Sequence, residues 1–350
     1  ELRRQRCKHV HSVEFFIVRE TDADGTVTET RSVRVTYKQD WPRYNAAQTN
    51  ERDHVEQMLR GLCAGIQSPP QTGRGQRRLP LADLVFAAVL KVYGTMSARR
   101  SASDLRACEA RGSVEKAPHY NSVLRCLENP ALTPVLKQMI EDSAAPLASV
   151  ESDFAVDSTG FSTSVYRRWF DHKYGREMKE ATWVKAHAMV GVVTNVVTSV
   201  NVTDSNGADS PELPALVAAT DQHFDINQIS ADKAYLGHAN LAAIEDVGAI
   251  PYVPFKSNSK SDGSAAWRRM WGLFMYKQAD FLTGYHKRSN VESTFSGVKR
   301  VFGGAVRSKT PVAMVNEVLA KLLCWNLTCL VHAMYEMGIP EPTFSTAEVG

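Results

Sequence analysis

Apolar positions repeat every three to four residues up to about residue 148, then give way to short β-branched runs separated by helical stretches. The pattern predicts a helical region followed by alternating strands and helices. Ahead of both, residues 13–18 and 33–37 are β-branched and aromatic runs about a turn-rich segment, 21–25. They predict a hairpin too small to be a domain alone. Val55, Met58, Leu59 and Leu62 predict a helix over 49–63 that ends at Gly65. Residues 68–78 are rich in Pro, Gly and Arg and have almost nothing to bury, so they predict an exposed loop whose Arg74, Arg77 and Arg78 can lie against phosphates. Pro80 opens a helix over 81–94 with Leu84, Val85, Ala88, Val89 and Val92 as its buried stripe. Helices over 101–111 and 120–128 flank a turn, as in a DNA-reading helix-turn-helix or an ordinary helical hairpin. A helix at 132–143 leads to 144–148, the expected domain boundary.

Beyond 150, strands are expected at 154–157, 184–193, 196–202, 226–231 and 250–253, and helices at 211–224, 239–247, 285–302 and 311–335. The fold class is therefore an α/β layered domain behind a small helical domain and an N-terminal β-hairpin. The expected domains are the hairpin at 1–48, a helical DNA-binding domain with its basic loop at 49–148, the α/β domain at 149–336 and a tail at 337–350.

Composition narrows the function classes. With 43% hydrophobic and 23% charged residues, 21 Gly and 15 Pro in 350 residues, the chain is neither disordered, collagen-like nor a coiled coil. It is long enough for two or three domains with a buried core. The apolar run 313–331 is interrupted by Asn316, Glu317, Lys321 and Asn326, short of the roughly 18 uninterrupted residues of a membrane span, so no bilayer crossing is expected. The first residues carry charge without the apolar stretch of a secretory signal, and six cysteines form no tight framework. A cytoplasmic, reducing setting is the expectation. The chain opens at Glu1 rather than Met, as a fragment would.

The net charge of +3 hides a segregation. Residues 150–255 hold 7 Lys/Arg against 14 Asp/Glu, whereas 256–309 hold 11 against 3. A carboxylate site beside a polyanion-binding surface produces such a sequence.

Asp157 and Asp232 are expected at the C-terminal ends of strands, where an α/β sheet opens into its functional crevice. A lone Asp there is also an ordinary turn residue, so the third carboxylate carries weight. At about 100° per residue, Tyr285, Arg288, Glu292 and Lys299 fall at roughly 0°, 300°, 340° and 320°, one face of a helix. Val291, Phe295, Val298 and Phe302 form a separate apolar stripe. Three carboxylates in one cleft repel unless cations neutralise them, and all-oxygen ligands select Mg²⁺ or Mn²⁺. Two such ions would flank an in-line phosphoryl displacement. The bland alternative is a solvated face with an intrahelical Arg288–Glu292 pair.

The runs Val156-Asp157-Ser-Thr-Gly160 and Ala231-Asp232-Lys-Ala-Tyr235, with Tyr-x2-Arg-x3-Glu-x6-Lys from Tyr285 to Lys299, resemble the motifs of bacterial insertion-sequence DDE transposases over residues 150–330. The resemblance implies a ribonuclease H-like core with Asp157, Asp232 and Glu292 as the metal triad, and Tyr285, Arg288 and Lys299 on the phosphates of element ends. Arg300 joins them as a DNA contact. The short interval from Asp232 to Glu292 implies that the β-rich insertion of some relatives is reduced or missing. Trp267 and Trp271 in that interval are core residues or stack on an extruded base. Separately, Cys7-Lys-His9 is similar to the closing half of a SWIM-type zinc motif. The opening half is absent, and two ligands, even with His11 nearby, do not complete a tetrahedral site.

The implied function is a DNA transposase that nicks element ends with water and directs the freed 3′-hydroxyl at target DNA. Its implied partners are double-stranded DNA and further copies of itself, without a membrane, in the cytoplasm or on the nucleoid. A metal-dependent nuclease on the same fold, or a transposase-derived DNA-binding protein without catalysis, are the alternatives.

Overall fold

A computed structural model describes residues 15–21, 27–33, 39–71, 73, 78–163 and 183–344. The chain divides into two compact units, Glu1–Ala46 and Ala47–Gly350. In the first, β1 (Phe15–Thr21) pairs antiparallel with β2 (Val27–Val33), Phe15 opposite Val33. The hairpin is the expected one, but its second strand lies earlier than 33–37. Cys7, His9 and His11 lie outside the described residues, as do Arg74 and Arg77.

Helix α1 (Trp41–Ala64) starts well before the expected residue 49. Asp40 accepts the Arg43 N–H at 3.2 Å, an N-cap bond, and Pro42 sits in the first turn, where its missing N–H costs no intrahelical bond. The second unit continues with α2 (Leu81–Tyr93), α3 (Ala102–Ala110), α4 (Tyr120–Leu127) and α5 (Leu132–Ala144). Residues 111–119 separate α3 from α4 and bury Val114 and Pro118. That connection is too long for the three-to-four-residue turn of a helix-turn-helix.

The sheet has five strands in the order β5-β4-β3-β6-β7. They are β3 (Asp153–Ser162), β4 (Trp183–Gly191), β5 (Val197–Asp204), β6 (Gln228–Ala231) and β7 (Ile250–Tyr252). β3, β4 and β5 pair antiparallel, while β6 and β7 join parallel to β3. The remaining helices are α6 (Leu213–Asp221), α7 (His238–Asp246), α8 (Ala265–Tyr276), α9 (Gln278–Tyr285), α10 (Ser289–Phe302) and α11 (Pro311–Met337). Alternation along β3 sends Asp157 and Thr159 toward the α10 side, and Phe154 toward Phe224 beyond α6. Helices therefore cover both faces of a mixed sheet, an α/β layered fold.

By length and composition α11 is long and apolar enough to cross a membrane, and it is mostly buried within the fold. The four polar residues that interrupt its apolar run are buried, each clamping another segment. Asn316 donates to the Leu127 and Asn129 carbonyls, and Asn326 bonds both the N–H and the carbonyl of Val197 and reaches Ile140. Glu317 and Lys321 hold the segment after α10. Helices α2 and α5 pack on α11, and α5 also packs on β5. The helical region thus lies with the sheet in the second unit, Ala47–Gly350. The five described cysteines are free and buried.

Just before β3, the buried Glu151 carboxylate accepts the Val193 and Thr194 N–H groups at 3.1 and 2.5 Å and the Thr194 hydroxyl at 2.6 Å. It pins the β4–β5 turn, where Asn195 takes a φ of 61°. Glu151 lies so close over Gly191 that a Cβ there would meet its Cδ at 2.4 Å. Glu151→Ala leaves the part-buried Val193 and Thr194 N–H groups without their acceptor and is expected to cost about 1–3 kcal/mol in all, read as a fall in the thermal midpoint. A shift of less than a degree would show that water replaces the carboxylate.

Candidate active site

The parallel register of β3 and β6 ends at Val156 opposite Ala231. The next residues are Asp157 and Asp232, which this register sets side by side on one face, about 4.8 Å apart between backbones. Asp157 is not at a strand end as expected, because β3 runs on to Ser162 through its pairing with β4. The exposure of Asp157 comes from β6 stopping, not from β3 stopping. Asp232 leaves β6 extended and accepts the Lys233 N–H at 2.7 Å.

The expected continuous helix through Tyr285 and Lys299 is broken. Helix α9 ends at Tyr285, His286–Arg288 forms a 3-10 turn, and α10 begins at Ser289. The four residues therefore do not share one helix face. The turn is held from below by β3: Lys287 Nζ bonds Asp153 at 2.6 Å and Arg288 bonds Asp157 at 2.8 Å. The other nitrogen of Arg288 reaches Glu292 at 2.5 Å. Arg288 thus joins two of the expected carboxylates and is not in a purely intrahelical pair. Lys299 Nζ donates to Thr159 Oγ1 at 2.6 Å, two residues along β3 on the same face. Tyr285 is half-buried against Phe281, and Arg300 is exposed.

Burial raises the Asp157 carboxyl above its ordinary value; the Ser158 N–H and Arg288 pull it back, and the charges of Asp232 and Glu292 push it up again. Burial also lowers the Lys299 ammonium. Such a set of mutually repelling oxygens fits a hard divalent cation in its donor chemistry. Among the described residues no three His, Cys, Asp or Glu side chains are placed to ligate one ion together. The Arg288 guanidinium is the positive charge between Asp157 and Glu292.

Sequence reasoning missed the polar cluster on the opposite face of β3. His187 is fully buried, 3.2 Å from Asp209 and 2.9 Å from the Thr203 hydroxyl, and Lys185 bonds Asp209 at 2.7 Å. The buried Tyr235 hydroxyl lies in the field of Asp209 and of Asp157. No motif spacing announces these residues, since Lys185, His187, Thr203 and Asp209 meet through the β4–β5 pairing and the chain that follows β5. Of the loop arginines, Arg78 is described and exposed. Trp267 is a core residue, stacked on His238 at 3.9 Å and bonded to the Lys260 carbonyl, and Trp271 is half-buried beside Ser259.

A family model described as the transposase DDE domain matches residues 148–327, about half of the chain. Over 160 residues the chain is 27% identical to a probable transposase for insertion sequence element ISA1214 from Archaeoglobus fulgidus, covering 46% of this chain and 48% of that protein. The chain spans about half the length of this curated relative.

Proposed function

The chain belongs to the transposase DDE-domain family, and from that premise we propose that it cleaves DNA at the ends of an insertion sequence and joins the freed 3′-hydroxyl to target DNA. The observation that carries this reading is the placement of Asp157 and Asp232 at the end of the β3–β6 register, with Glu292 tied to them through Arg288. The mixed strand order supports a ribonuclease H-like core.

Asp157, Asp232 and Glu292 would hold Mg²⁺ or Mn²⁺. A divalent cation held by these carboxylates would supply Lewis-acid activation of the attacking oxygen and charge stabilisation for the leaving one. The protein's own part is positional. Asp157 sits on the paired backbone of β3 and Asp232 caps the short turn just past β6, so their oxygens need little ordering at the moment of reaction. Arg288 neutralises Asp157 and Glu292 when no other cation does so, and turns to a phosphate when one does. Tyr285, Lys299 and Arg300 line the approach of the DNA backbone, and Arg74, Arg77 and Arg78 are further contacts to phosphates. Double-stranded DNA and further copies of the chain on it are the proposed partners.

With labelled duplex ends, cleavage and strand-transfer products are expected with Mg²⁺ or Mn²⁺ and are lost on chelation. Cleavage without strand transfer would leave a metal-dependent nuclease, and binding without cleavage a DNA-binding protein. Chelator-resistant cleavage would overturn the carboxylate assignment.

A further inference from the structure

The segment after α10 is clamped from beneath while its cations face outward. Gly303 ends the helix with a φ of 83°, and the chain then runs beside the end of β3. There the Ser162 N–H donates to the Gly304 carbonyl at 3.0 Å and the Val306 N–H to the Ser162 carbonyl at 2.8 Å. Lys321 reaches up from α11 to the carbonyls of Gly303 and Ala305 at 2.8 and 2.7 Å. Glu317, one helical turn earlier, accepts the Arg307 N–H at 2.9 Å, the Ser308 N–H at 2.8 Å and the Ser308 hydroxyl at 2.7 Å. Both clamping side chains are 3% exposed, so they present no charge to a partner.

Arg307 and Lys309 are exposed, as is Arg300 one turn before the loop. Among the described residues none of the three side chains pairs with a carboxylate, and no Asp or Glu occurs between Glu292 and Glu317. Six hydrogen bonds hold the loop backbone that carries Arg307 and Lys309, so that backbone is ordered before any partner arrives, which lowers the entropy cost of binding an anion.

We propose that the clamped loop 303–310 is a second contact surface for duplex DNA, with Arg307 and Lys309 gripping backbone phosphates about 17 Å from the phosphate that is cut. This rests on the reading of Asp157 and Asp232 as the cutting site. The distance follows from β3. The loop meets β3 at Ser162, five residues from Asp157, about 17 Å at about 3.3 Å per residue, so its grip is separate from the cut. DNA is the occupant that charge and continuity favour, because the strip extends the Lys299 edge of the carboxylate site without an intervening acidic residue.

The test compares the full chain with Arg307→Gln/Lys309→Gln and with a charge-matched control, Arg268→Gln/Lys277→Gln, on exposed positions in and after α8. With a random-sequence duplex, the log–log salt slope of binding is expected to shrink by about 0.9 for each phosphate no longer neutralised in the first variant and to stay at the wild-type value in the control. On the end duplex that the wild type cuts, ethylating single phosphates along both strands is expected to reveal a position away from the cut whose modification blocks the wild type and not the variant. An unchanged slope, an equal loss in the control, or interference confined to the cut itself would overturn the proposal. A wild type that neither binds nor cuts DNA would overturn the parent reading, and the two failures are therefore distinct.

Discussion

Asp157→Asn and Asp232→Asn are each expected to reduce end cleavage by at least about a thousandfold, a loss of about 4 kcal/mol in transition-state stabilisation. Asn keeps the shape of the side chain and removes the charge that holds a divalent cation, so neither change should disturb the sheet. Each carboxylate accepts a local N–H, from Ser158 and from Lys233, and an amide oxygen still accepts it. Glu292→Gln should be as damaging to cleavage and milder still for the fold, because its side chain is 57% exposed. Cleavage assays with labelled ends, beside circular dichroism and thermal melting of each variant, decide the matter. Wild-type cleavage by any of the three removes that residue from the site, and a collapsed melting curve would make it scaffold.

Glu317→Gln is expected to cost about 3–5 kcal/mol of stability, because it leaves Lys91 and Lys321 as buried ammonium groups without a counter-charge. Burial works against the Glu317 charge, but Lys91, the Arg307 N–H, the Ser308 hydroxyl and Lys321 outweigh it and hold the carboxyl below its ordinary value of 4.5. A carboxyl lowered on folding contributes stability that is full above its unfolded value and fades as the pH falls through the folded one. The gap between wild type and variant should therefore be widest near neutral pH and close in acid. Thermal melting across pH reads it, with a midpoint drop of roughly 6–12 °C at neutral pH. A gap that persists unchanged in acid would show that shape, not charge, is what Glu317 supplies.

Much of this was legible in the residues. The strands at β4 and β5 and their Thr194-Asn195 turn follow from β-branched runs, and α2 and α11 follow from apolar spacing. The three carboxylates were identifiable because motifs surround them. Helix α8 was missed although its signal is present: Ser264 caps it, and Trp267, Met270, Trp271 and Phe274 follow at helical spacing. The polar residues of α11 could be read as a reason against a membrane, but not as clamps, since each meets a segment far away in the chain.

By itself, then, the sequence determined most of the local elements, singled out Asp157, Asp232 and Glu292 through the motifs around them, and carries the basic stretch 256–309. Turns, caps and amphipathic faces depend on neighbours a few residues away, so they are written in the order of side chains. The tertiary structure decided the rest. It set the register that puts Asp157 beside Asp232, and it broke the helix at 286–288. It also joined Arg288 to a carboxylate 131 residues distant. Those outcomes depend on which surfaces bury each other when the sheet and helices pack, and no local spacing encodes a contact between residues that far apart in the chain.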